Sequence, residues 1–161
     1  MQNYRSQIID LLIPYFEGDK RHHLLVGDMG FGSLNGLQGR MPDRVTNCGI
    51  MEQGMVGIAA GMALGGMIPV VYTICNFLVY RALEQVRNDV VLQGLNVKFI
   101  GTGARDYFQF LGPSHTCGDQ DLEIFALIGL DTFDPYAPQA PGLPEIVGRW
   151  MTSDQAGYIR V

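Results

Sequence analysis

Short runs of β-branched and aliphatic residues alternate with longer helical stretches along this chain, and that alternation restricts its fold more than any other feature. Ile8, Leu11, Leu12 and Tyr15 recur at helical spacing and the pattern stops at Gly18, which predicts a first helix over residues 3–17 packed on a sheet. Strands are expected at 22–26, 44–47, 69–73, 97–101, 132–134 and 157–161. Further helices are expected at 52–64, 76–92, 119–128 and 143–152. Such an order specifies an α/β fold: a doubly wound, mostly parallel sheet with helices on both faces. In that architecture a ligand site lies beyond the carboxyl ends of the strands. A chain of 161 residues, 47% hydrophobic, buries one sizeable core and is read as a single domain over 1–161.

Charge and apolar patterning exclude several classes of function. Charged residues make up 17% of the chain, the net charge is −5, and no stripe of Lys and Arg is present, so nucleic acid is not an expected partner. Charged residues interrupt every long apolar run, and none approaches the ~20 residues that span a membrane. The first residues lack the basic-then-apolar layout of a signal peptide, because Asp10 and Pro14 break the run from Ile8 to Ile13; the expected compartment is the cytoplasm. Cys48, Cys75 and Cys117 are odd in number and far apart, which predicts reduced thiols rather than disulfides or a zinc site.

The densest chemical signal is Pro42-Asp-Arg-Val-Thr-Asn-Cys-Gly-Ile-Met-Glu52-Gln-Gly-Met-Val-Gly-Ile-Ala-Ala-Gly-Met-Ala-Leu-Gly-Gly. A strand ends at a glycine, a glutamate opens a helix, and Gly57, Ala59, Ala60, Gly61 and Ala63 allow that helix a close approach to its neighbours. A glutamate in a first turn also matches the helix dipole with no further role. Ile50, Met51, Met55 and Val56 surround Glu52 in sequence, however, so its carboxyl is expected to be desolvated at a crevice, as an acid-base group requires.

Gly49-Ile-x-Glu52-x-x-Met55 followed by Ala60-Gly61-x-Ala63-x-x-Gly66 resembles the pyrimidine-binding domain of transketolases, deoxyxylulose phosphate synthases and the β subunits of 2-oxo acid dehydrogenases. The resemblance runs through Asp28, the stretch Thr73 to Asn88, the loop Gly112-Pro-Ser-His115 and the closing Tyr158-Ile-Arg160. It implies thiamine diphosphate as cofactor. Glu52 would hydrogen-bond the pyrimidine nitrogen para to the exocyclic amino group and so let the cofactor activate its own thiazolium carbon. Asp28 would lie in the cofactor-binding first loop. Phe77 and Tyr80 match the family's aromatic platform for the pyrimidine ring, although with Leu83 and Val86 they also fall at the helical spacing of a core. His115 matches a histidine that faces substrate oxygens. Arg105 and Arg160 match arginines that hold a substrate phosphate or carboxylate. Ile74, Gly103 and Leu111 depart from transketolases, and the last two point away from an ordinary ketose phosphate donor. A Cys117–His115 nucleophile pair is a poor alternative, since no orienting acid is evident.

Family members hold the diphosphate and its Mg2+ or Ca2+ through Gly-Asp-Gly and a downstream Asn, and Gly27-Asp28-Met29-Gly30 is only an imitation of that motif. The metal is therefore expected on a larger subunit carrying the diphosphate-binding domain. The resemblance is to the small, C-terminal-type subunit of a split transketolase without the family's third domain, and an α2β2 heterotetramer is the simplest closed assembly. It implies ketol transfer on a sugar. A two-chain 2-oxo acid decarboxylase or dehydrogenase, or a non-catalytic scaffolding partner, are the competing readings.

Overall fold

The computed structural model describes residues 4–161; Asn3, the expected start of the first helix, lies outside the described residues. Helix α1 (Arg5–Gly18) leads into β1 (His22–Val26), and a short α2 (Asn35–Arg40) precedes β2 (Val45–Asn47). There follow α3 (Glu52–Leu64), β3 (Ile68–Ile74), α4 (Cys75–Arg81), α5 (Leu83–Gln85) and β4 (Lys98–Thr102). The chain continues through α6 (Gln120–Leu127), β5 (Asp131–Phe133), α7 (Leu143–Thr152) and β6 (Gly157–Arg160).

Two expectations need correction. The helix expected at 76–92 is broken: α4 ends at Arg81, Ala82 leaves helical geometry (φ −124°, ψ 13°), and the chain resumes as α5 and a π-helical turn, Val86–Val91. The break matters because it makes Arg81 the last residue of a helix rather than the middle of one. Helix α2 is an addition to the expected elements; its sequence, Asn-Gly-Leu-Gln-Gly-Arg, carries little helical signal because it holds two glycines and one buried apolar anchor, Leu37.

The strands among the described residues form one sheet in the order β2-β1-β3-β4-β6-β5, and every pairing is parallel. Alternation along each strand divides the core in two. Leu24, Val26, Val70, Tyr72, Ile100 and Ile159 face α1, α2 and α7, whereas Leu25, Val71, Phe99 and Tyr158 face the layer built from α3 to α6. Helix α7 shows why its residues form a helix: Leu143, Ile146, Val147, Trp150 and Met151 are its buried residues, spaced as one apolar stripe. Trp150 donates its ring N–H to the carbonyl of Gly157 at 2.9 Å, which ties the helix to β6. The buried residues of α1 are Ile8, Ile9, Leu12 and Phe16, so its inner face is turned about one residue from the expected Leu11–Tyr15 side. No helix of the described residues is long and apolar enough to cross a membrane.

Lys98 is fully buried at the start of β4, where Nζ donates to the carbonyls of Ser153 (2.8 Å) and Gln155 (2.7 Å) just past α7. Burial pulls its ammonium down to about 8 from the ordinary 10.5. Because the folded value is the lower, the unfolded chain binds more protons between about pH 8 and 10.5, and stability rises with pH across that window. Urea unfolding at several pH values should show wild type gaining stability relative to Lys98→Met between pH 8 and 10.5. A flat difference would show that Lys98 keeps an ordinary affinity for its proton.

Candidate active site

In the order β2-β1-β3, the chain leaves β1 toward β2 on one side and returns through α3 to β3 on the other. The carboxyl ends of β1 and β3 therefore flank a crevice of the kind that open α/β sheets use for ligands. Gly27 and Asp28 follow β1, Thr73 and Ile74 end β3, and Glu52 opens α3.

Glu52 is only 1% exposed. Met55 and Val56 are buried beside it in α3, but Ile50 and Met51 point outward, so the apolar cover expected from its sequence neighbours is half present. Polar groups complete the surround. Thr73 donates its hydroxyl to Oε1 at 3.1 Å, and Arg81 donates from Nη1 to Oε2 at 2.6 Å. Gly27 makes the arrangement possible, since a Cβ there would lie 3.2 Å from Thr73 Oγ1 and 3.5 Å from Glu52 Oε1.

The Arg81 guanidinium also lies over the ring of Phe77, 3.9 Å from its centroid. The His115 ring meets Phe77 edge-on, with centroids 5.1 Å apart. A cavity of about 390 Å³ opens here, lined by Asn76, Phe77, Tyr80, Arg81, Ser114 and His115. Tyr80 is 56% exposed at its rim and its hydroxyl bonds Gln120. The histidine loop is fastened to α4 because Asn76 donates Nδ2 to the Thr116 carbonyl at 2.6 Å, and Ser114 Oγ lies 3.0 Å from His115 Nδ1. The structure thus gathers Phe77, Tyr80 and His115 around one cavity, and Arg81 in its lining links that cavity to the buried Glu52.

Asp28 sits on the other side of the crevice, exposed and at φ 52°. Asn47 clips the two loops together: it accepts from the N–H groups of Asp28 (3.0 Å) and Gly49 (2.9 Å) and donates to Asp28 Oδ1 at 2.9 Å.

The remaining arginines lie elsewhere. Arg105 has its guanidinium 5.6 Å from the ring centroid of Tyr136. Arg160 is 3% exposed and committed to Asp119 (2.7 Å), Asp134 (2.8 Å) and Asp121 (3.3 Å). Burial by itself would lower its affinity for the proton; the carboxylates of Asp134 and Asp119 reverse this and leave it raised. Tyr158 donates to Asp121 at 2.6 Å, and a Cβ at Gly101 would collide with the Tyr158 ring, so Gly101 makes room for this cluster. Burial pushes the Cys117 thiol up to about 12 and raises Cys75 as well, so neither is a thiolate near neutral pH. Among the described residues no group of three His, Cys, Asp or Glu is arranged to hold a metal ion. A larger cavity, about 600 Å³, borders β5 and α7 and includes Asp134 and Arg149 but none of the cleft residues.

Thr73, Arg81 and Asn76 join the site without having been expected there from sequence. Two signals for them exist: Thr73 precedes the end of a strand whose carboxyl edge carries the site, and Arg81 stands four residues after Phe77 on one helical face.

Residues 3–140 match the family described as transketolase, pyrimidine binding domain. The 6-deoxy-6-sulfo-D-fructose transketolase subunit of Clostridium sp. is 31% identical over 161 residues, covering 98% of this chain and 48% of that protein. An apulose-4-phosphate transketolase subunit of Actinobacillus succinogenes is 39% identical over 100 residues, which cover 62% of this chain and 31% of the relative. The chain thus spans about half or less of the curated relatives it matches. Among solved structures, a split-gene transketolase described as an inactive β4 tetramer superposes with a TM-score of 0.81 at 28% identity, over 97% of this chain and 49% of the other. The transketolase of Leishmania mexicana superposes at 0.79 with 19% identity, a likeness of fold, over 97% of this chain and 24% of the other.

Proposed function

Because this chain belongs to the transketolase pyrimidine-binding domain family, we propose that it is the pyrimidine-binding subunit of a cytoplasmic, thiamine diphosphate-dependent ketol-transferring enzyme whose site is completed by a larger subunit. The observation that supports this best is the slot between Glu52 and Phe77. A flat, N–H-bearing guanidinium already stacks on Phe77 and hydrogen-bonds the Glu52 carboxylate there, which is the pair of contacts an aminopyrimidine ring requires. The residues therefore fit the group.

Thiamine diphosphate, when bound, supplies a nucleophilic carbon that attacks a carbonyl substrate. Glu52 is the residue that exchanges a proton with the ring nitrogen, and Thr73 fixes its Oε1 while it does so. Phe77 provides the ring's apolar face and Tyr80 its outer rim. His115 stands at the mouth, able to donate to substrate oxygens. Asp28, clipped by Asn47, shapes the cofactor loop. Of the two arginines, Arg105 is available for an anionic substrate group, whereas we assign Arg160 to holding three aspartates. Mg2+ or Ca2+ and the diphosphate belong to the larger subunit, since the chain carries no Gly-Asp-Gly with a downstream Asn. An inactive β4 tetramer in a split-gene relative supports a catalyst that needs both chains, and α2β2 is the assembly we propose.

The test is reconstitution. This chain, a larger subunit bearing the diphosphate domain, thiamine diphosphate and Mg2+ should together transfer a ketol group between sugars, and neither chain should do so by itself. Release of carbon dioxide from a 2-oxo acid in the same mixture, without ketol transfer, would instead identify a decarboxylase. Turnover of neither substrate class by a correctly assembled pair would leave only a scaffolding role.

A further inference from the structure

We infer that Arg81 is a removable occupant of the pyrimidine slot, so that the cofactor ring enters only as the guanidinium leaves. The inference rests on the functional reading above and adds to it a competition within the chain itself.

Three observations carry it. The guanidinium makes at once the two contacts that define the slot, 2.6 Å to Glu52 Oε2 and 3.9 Å to the Phe77 ring centroid. A second flat ring has no place between them while Arg81 stays, because one face of Phe77 and one carboxylate oxygen are already taken. Arg81 is also free to move in a way its partner is not: its side chain is 39% exposed while Glu52 is 1% exposed, and it lines the open cavity. Finally, α4 ends at Arg81, where the carbonyl end of the helix favours a cation even after the carboxylate is released.

The occupant has a benefit. Glu52 without a cofactor would be a buried carboxylate with only the Thr73 hydroxyl, an arrangement that is strongly unfavourable. Arg81 neutralises it until a ring able to hydrogen-bond it arrives. The consequence is a lowered apparent affinity: if the guanidinium fills the slot in nine molecules of ten, the apparent Kd is raised about tenfold.

The assembled pair of subunits provides the test. Thiamine diphosphate with Mg2+, and separately the fragment 4-amino-5-hydroxymethyl-2-methylpyrimidine, are titrated calorimetrically into wild type, Arg81→Met and Arg81→Lys. Arg81→Met should bind both probes about tenfold more tightly. Arg81→Lys, which keeps the charge but not the flat stacking surface, should gain less. In wild type labelled with 15N-arginine, the Arg81 Nε–H resonance, assigned by its loss in Arg81→Met, should shift on adding the fragment. This last readout is taken on wild type, and Arg81→Met serves only to assign the resonance. Equal or weaker binding by folded Arg81→Met, or an Arg81 resonance that does not move when the fragment binds, overturns the inference and leaves the cofactor assignment standing. Failure of wild type and both variants to bind either probe overturns the two together.

Discussion

In the two-chain enzyme proposed above, Glu52→Ala is expected to lose about 10²- to 10⁴-fold in turnover, the range that a positioned proton-transfer group contributes. Glu52→Gln should fall in the same range although it keeps a hydrogen bond, because an amide has no ionisable proton to give to the ring nitrogen or take from it. Folding should survive both changes. The partner left behind, Arg81, is 39% exposed and can turn to water, so neither variant strands a buried cation. Steady-state rates set beside thermal unfolding of each variant separate the effects: a large drop in rate with little change in Tm is the expected pattern. Turnover by Glu52→Ala within threefold of wild type would falsify the catalytic assignment.

Arg160→Met should instead act on stability. It removes the only cation that the structure shows bonded to Asp119, Asp121 and Asp134 among the described residues, and of these carboxylates Asp121 is 1% exposed. Breaking a buried pair from one side costs about 3–5 kcal/mol. The penalty should depend on pH. Burial already holds the Asp121 carboxyl above its ordinary range in wild type, and without Arg160 it would be raised further. A carboxyl whose folded value is the higher favours folding below its unfolded pKa and loses that stability as pH rises through the folded value. Urea unfolding of Arg160→Met should thus approach wild type as pH falls through the carboxylate range and diverge from it as pH rises. A variant as stable as wild type, with a raised KM for an anionic substrate, would show that Arg160 serves the substrate.

How much of the site is legible in the sequence follows from what kind of information each residue carries. Glu52, Phe77 and His115 stand out because their neighbours form ordered local motifs, and in the fold Phe77 touches His115 directly and reaches Glu52 through Arg81. Arg81 lies in the same stretch as Phe77 and Tyr80, and its one local signal is the four-residue spacing from Phe77. Its role depends on a kink at Ala82 and on a carboxylate 29 residues earlier, neither of which leaves a mark on its immediate sequence. Arg160 shows the reverse. Its match to the family reads as substrate-facing, but crossovers carry Asp119 and Asp134 to it from 41 and 26 residues away.

The α/β class, the parallel sheet and most strand and helix positions are legible along the chain, because the periods of about 2 and 3.6 are local properties that burial on one face imposes residue by residue. The strand order, the place of the crevice between β1 and β3, and which cation each buried carboxylate meets emerge only in three dimensions. Those depend on how the crossovers stack in space, and on which charges must be paired once water has been excluded from both faces of the sheet.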